Sequence, residues 1–140
     1  MKLILTATVT LISLLTTSTA IACKVEIPKI RAGMKYKQAR EIVATSGWYP
    51  VHVPWQEWES RWLFGKKSRE YAIMEKGYSD IQICAGTGEG RCIFLWQDGA
   101  GNQLELITSG VADREPEDLL LVAWRTTEAG RKEEAEDSNP

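Results

Sequence analysis

His52 is the one histidine in the chain, so catalysis of the Ser-His-Asp or Cys-His type would have to run through it. It stands between Val51 and Val53 in a stretch that alternates like a strand, and no Gly-x-Ser-x-Gly nucleophile motif accompanies it. Its surroundings predict an ordinary strand histidine. Carboxylate pairs such as Glu57 and Glu59, or Asp80 and Asp98, could do acid–base work at the right separation, but nothing in the sequence brings either pair together. Gly86-Thr87-Gly88-Glu89-Gly90 has the glycine density of a phosphate-cradling loop. Such loops feed a helix N-terminus, whereas this one feeds a strand and carries a carboxylate at its tip. No catalytic residue is assigned and no cofactor is implied.

Three cysteines are present: Cys23, Cys84 and Cys92. Cys84 and Cys92 bracket the glycine-rich turn, and in an oxidising compartment they are expected to pair. Closing so short a loop stabilises by roughly 2.5 kcal/mol in the chain-entropy account. A zinc site is the competing reading, but a single histidine and this spacing do not suit one, so no metal is assigned. The same loop, held at its base by a disulfide, becomes a rigid projecting element and a candidate contact surface through Thr87 and Glu89.

Tryptophan is the other excess, with six in the chain, all beyond residue 22. Trp55, Trp58 and Trp62 stand at i, i+3 and i+7, which places three indoles within about 60° on a helix. Such a stripe either packs a helix onto a sheet or forms an exposed protein-binding or glycan-stacking surface. Trp55, Trp58 and Trp62 are therefore candidate binding residues.

The elements that must position these groups are readable from periodicity. Tyr36, Ala39, Ile42 and Val43 fall on one face of a helix that Gly47 terminates. Trp48 to Val53 alternates as a first strand, with Pro50 favouring a sheet edge. A short helix is expected from Pro54 to Leu63, and Lys66 to Lys76 reads equally as helix or loop, with Tyr71, Ile73 and Met74 available for burial. Strands follow at Ile81–Ala85, Cys92–Gln97 and Gln103–Thr108, joined by Gly-rich turns and forming an antiparallel meander. The middle strand is apolar on both faces, as a strand covered on both sides would be. A last strand, Leu119 to Arg125, follows the acidic loop Asp113–Asp118. The expected fold class is α+β: one main helix packed on a four- or five-stranded, mostly antiparallel sheet.

At the N-terminus Met1-Lys2 precedes an uncharged stretch from Leu3 to Ala22 that ends in Ala20-Ile21-Ala22. That is the pattern of a signal peptide with cleavage after Ala22, and threonines and serines dilute it too much for a spanning helix. The domain reading is then a signal peptide at 1–22, one small domain at 23–127, and a charged, disordered tail at 128–140. Lys2 is the one charged residue removed, so the exported chain carries 16 basic and 19 acidic groups, a net charge of −3. No basic excess exists to neutralise phosphates, which disfavours nucleic acid as a partner. Thr19-Ala20-Ile21-Ala22-Cys23 also resembles a permissive bacterial lipobox, with Ala20 where Leu is usual. Lipidation of Cys23 would tether the domain to a membrane; Ala20 suits ordinary cleavage better.

Gly33-Met34-Lys35-Tyr36-Lys37-Gln38-Ala39-Arg40, ending at Gly47-Trp48 and a strand, resembles the helix-start unit of several small bacterial envelope domains. It is similar to those of PASTA modules, of outer-membrane assembly lipoproteins of the SmpA/OmlA type, and of beta-lactamase inhibitory protein. Lys35 stands where those units favour a Ser or Thr cap. The order of helix, Gly-Trp-x-Pro strand, Cys84–Cys92 hairpin and late tryptophan is similar to a group of exported bacterial proteins, which implies no activity.

These observations point to a non-catalytic binding protein of the bacterial envelope, periplasmic or secreted, whose partner is another envelope or extracellular protein. An inhibitor, an immunity factor or an assembly accessory would fit. The alternative is a small secreted hydrolase or glycan-binding protein built on the acidic residues and tryptophans.

Overall fold

The computed structural model describes residues 25–54, 57, 65–110 and 115–130. The signal segment, Cys23, the tryptophan stripe Trp55/Trp58/Trp62 and the tail past Gly130 lie outside the described residues.

The fold is α+β, with helices α1 (Tyr36–Thr45) and α2 (Arg69–Glu75) and a five-stranded antiparallel sheet. The strands are β1 (Trp48–Pro50), β2 (Ile81–Cys84), β3 (Cys92–Asp98), β4 (Gln103–Ser109) and β5 (Leu120–Thr127). Among the described residues the expected main helix, α1, is joined by a second, shorter one in the segment that read equally as helix or loop. The second forms because Ser68 caps it, its hydroxyl accepting from Tyr71 N at 3.1 Å, the local bond that starts helices at serine.

Helix α1 buries Tyr36, Ala39 and Val43 and half-buries Ile42. Its cap position, Lys35, makes no side-chain cap bond. The first-turn amide of Tyr36 is met instead by Leu119 O at 2.7 Å, while Gly33 and Met34 exchange backbone bonds with Leu121. The approach to β5 therefore does the work of a Ser or Thr cap. At the other end Gly47 takes φ +86°, the left-handed conformation that stops a helix cheaply only at glycine.

β3 organises the sheet. On one side it pairs along its length with β4, which in turn pairs with β5. On its other side two short strands share it, β1 against Trp96–Asp98 and β2 against Cys92–Phe94. They meet at Leu95, whose carbonyl accepts from Val51 N and whose amide donates to Asp80 O, both at 2.9 Å. This is why β1 stops at Pro50 instead of running to Val53: the next place on β3 belongs to the lead-in of β2.

One face of the sheet carries the core. Cys92, Phe94 and Trp96 of β3, Leu104 and Leu106 of β4, and Leu121 of β5 are buried under α1, with Ile73 of α2 joining from the β2 side. The opposite face departs from expectation. Ile93 and Leu95 are half-buried, and their neighbour Ile83 is 52% exposed. β3 is thus fully covered on one side, and its second apolar face is a half-wet row running through Ile83, Ile93, Ile107 and Ala123 in register.

Candidate functional site

The β2–β3 hairpin is a stapled loop, as the cysteine spacing predicts. Cys84 and Cys92 stand directly opposite each other in register and are joined as a disulfide. Above the staple Ala85 N donates to Arg91 O at 2.7 Å, and the tip residues Gly86, Thr87, Gly88 and Glu89 are exposed. The tip carboxylate of Glu89 faces Arg91 at 3.3 Å in solvent, an ion pair of small energetic weight.

A second anchor was not visible in the sequence. Arg69, at the start of α2, spreads its guanidinium between two backbone carbonyls, donating from Nη1 to Gly90 O at 2.8 Å and from Nη2 to Gly110 O at 2.9 Å. Gly110 N closes the arrangement by donating to Glu89 O at 3.0 Å. Beside Arg69, buried Glu70 accepts the edge amide of Cys84 at 2.7 Å. The first turn of α2 thereby ties the hairpin to β2 and to the end of β4. Gly90 is a required element of this clamp. It has φ +59°, and a Cβ there would stand 2.5 Å from Gly110 O and 2.7 Å from Arg69 Nη1. The planar fork of arginine, with two donors in fixed geometry, is what permits one side chain to hold two carbonyls.

The second unusual chemical feature is a buried polar cluster under α1. Asp80, with no exposed surface, accepts the hydroxyl of Tyr36 on Oδ2 and faces Arg40 Nε at 3.4 Å with Oδ1. Trp96 Nε1 donates to the Tyr36 oxygen at 3.4 Å. Arg40 lies over the Tyr78 ring at 4.9 Å and the Trp96 ring at 6.0 Å, and Tyr36 stacks on Phe94 at 3.8 Å. Burial pushes the Asp80 carboxyl above its ordinary value, outweighing the hydrogen bond from Tyr36 and the charge of Arg40, which pull it down. The Tyr36 hydroxyl is pushed well above its ordinary value, first by burial and then by the neighbouring charge of Asp80. Groups so perturbed cluster at functional sites and in structural ion pairs alike. Here Tyr36 packs on Phe94 and Tyr78, Arg40 covers the Tyr78 and Trp96 rings, and the cluster joins α1 to the β2 lead-in and to β3.

The remaining sequence candidates separate. His52 is exposed, beyond the end of β1. Glu57 is exposed, and Glu59 lies outside the described residues. Asp80 and Asp98 serve different networks: Asp98 organises its own turn, accepting from Ala100 N at 2.9 Å and from Asn102 N at 2.8 Å. Among the described residues no group of three or more His, Cys, Asp or Glu could hold a metal ion. The signal for the Asp80 cluster was present in the sequence as Tyr36 and Arg40 at i, i+4 and as an acid just before an apolar strand. Nothing local says that these meet.

Two expectations follow. Gly90→Ala should cost about 3 kcal/mol or more, because left-handed strain adds to the clash with the clamp. Gly88→Ala, also at positive φ but with open space around its Cβ, should cost about 1 kcal/mol; urea unfolding of the two variants measures the difference. Asp80→Asn tests the second feature. A carboxyl whose folded pKa is raised stabilises the fold in its neutral form, a contribution present below the unfolded value of about 3.9 and lost as pH rises through the folded value. The stability of Asp80→Asn relative to wild type should therefore improve as pH rises above about 4, and level off once the folded carboxyl has ionised, as read by denaturant unfolding at each pH.

No protein-family model, no curated protein and no solved structure matches the chain.

Proposed function

We propose that this chain is an exported, non-catalytic binding protein of the bacterial envelope, and that the tip of the β2–β3 hairpin is the part that meets its protein partner. The observation that carries this reading is the double anchoring of an exposed loop: a disulfide below and the Arg69 clamp beside it hold Thr87 and Glu89 in one presentation. Rigidity before binding spares the ordering entropy that a floppy loop would lose on contact. A loop needed only to reverse the chain could do so without two anchors.

Periplasmic or extracellular placement rests on the signal-like N-terminus together with the Cys84–Cys92 bond, which persists in oxidising compartments. Among the described residues no helix is long and apolar enough to cross a membrane. An inhibitor, an immunity factor or an assembly accessory would each fit a projecting contact of this kind. The tryptophan segment, from Trp55 through Trp58 to Trp62, is the second element of the proposed contact.

The test places a photo-crosslinking residue at Thr87, and separately at Ala100 in the β3–β4 turn, and activates each in cells expressing the chain. Ala100 is also exposed and at a hairpin tip, so it controls for mere protrusion. A discrete protein adduct from position 87 that is absent from position 100, and that disappears when Cys84 and Cys92 are both replaced by Ser, supports the reading. The absence of an adduct from position 87, or equal adducts from both positions, contradicts it.

A further inference from the structure

We infer that residues 27–31, the extended segment beside α1, form a docking surface for an anionic lipid bilayer. The inference goes beyond the hairpin reading, and its test reads lipid in place of a protein partner.

Charge is unevenly placed along the chain. Residues 24–45 hold six basic and two acidic groups, whereas residues 46–140 hold ten basic and seventeen acidic. The overall balance therefore conceals a basic N-terminal margin on an otherwise acidic molecule. Two of its cations are engaged, Lys35 with Asp118 and Arg40 with Asp80. Lys29, Arg31 and Lys37 are exposed and have no ion-pair partner among the described residues. The acids of the same margin are Glu26 and Glu41.

The segment sorts its residues by alternation. Pro28 and Ile30 turn inward and are buried, whereas Ile27, Lys29 and Arg31 turn outward. Ile27 is 47% exposed, next to two cations. That pairing suits the headgroup boundary of a bilayer, where an apolar side chain sinks toward the acyl chains while cations meet phosphates. Two observations favour lipid over an acidic protein. The first is the neighbouring chain: Leu3 to Ala22 is uncharged, and Cys23 and Lys24 alone separate it from Val25. Residues 27–31 are thus held close to any bilayer that receives that stretch. The second is orientation. Residues 26–29 line a cleft with Ile42 and Thr45, at the end of α1 that leads into β1, where Trp48 stands opposite Asp98 of β3. The hairpin is at the Cys92 end of β3, so docking on residues 27–31 leaves its tip, with the carboxylate of Glu89, away from the anionic surface that would repel it.

Each cation beside an anionic surface strengthens binding about fivefold, so the docking is weak alone and adds to any tether. The chain, purified from expressing cells as they process it, is titrated with vesicles of phosphatidylcholine alone or with about 40% phosphatidylglycerol. It should partition at least about tenfold more strongly onto the anionic vesicles at about 50 mM salt, and lose that preference at about 500 mM. Lys29→Glu with Arg31→Glu should abolish the preference. Lys66→Glu with Lys67→Glu changes the net charge equally at another exposed site, and should leave the preference within about threefold of wild type. Should the first pair fail to fold, Lys29→Gln with Arg31→Gln decides by the same comparison, with a loss of about tenfold or more. Equal partitioning onto both vesicles, or equal effects of the two Glu pairs, overturns the inference. So does retention by soluble polyglutamate of a chain that ignores anionic vesicles, which would assign the cations to an acidic protein.

Discussion

A carboxylate taken entirely out of water must be met by protein groups, and the way Asp80 is met governs how this small fold is put together. Its hydrogen bond from Tyr36 and its ion pair with Arg40 both reach α1, while its own backbone carbonyl takes the amide of Leu95 in the middle of β3. One residue therefore fixes where the helix lies on the sheet and where β1 must give way to β2. The cost of desolvating such a group is several kcal/mol unless it is paired, so alternative placements of α1 that leave Asp80 unmet are penalised. That penalty selects one arrangement more than it adds net stability.

From that fixed point the rest of the molecule follows by packing. The shared edge of β3 leaves β2 close to α2, which brings Arg69 and Glu70 against the hairpin and makes the stapled loop rigid. On the far side, Gly33 and Met34 reach β5 because α1 begins there, and they cover only the first part of that edge. The stapled loop and the contact of Gly33 and Met34 with β5 are at opposite margins of one sheet, and both are consequences of where α1 and α2 sit.

Much of this was legible in the residues. The period of Tyr36, Ala39 and Val43, the Gly47 stop, the three-strand meander and the Cys84–Cys92 pairing are local patterns, and local patterns survive in the fold. What escaped was mostly non-local, one local cap apart. A helix over Arg69–Glu75 needed the Ser68 cap to be recognised against a weakly periodic background. The expectation that β3 is covered on both faces failed because apolar alternation reports hydrophobicity, not how many layers exist to cover it. The Arg69 clamp joins residues 21 and 41 positions apart, and the Tyr36–Asp80 bond spans 44. Neither leaves a spacing to find.

The claim that Asp80 and Tyr36 act as one unit in holding α1 to the sheet is tested most directly by a double-mutant cycle with Tyr36→Phe and Asp80→Asn, measured by urea unfolding at pH 7. The account predicts that the two changes are strongly non-additive, with a coupling of about 1 kcal/mol or more, as befits a buried hydrogen bond to a charged group. Effects that simply add, to within about 0.5 kcal/mol, would contradict it and would leave the burial of Asp80 without the role assigned to it.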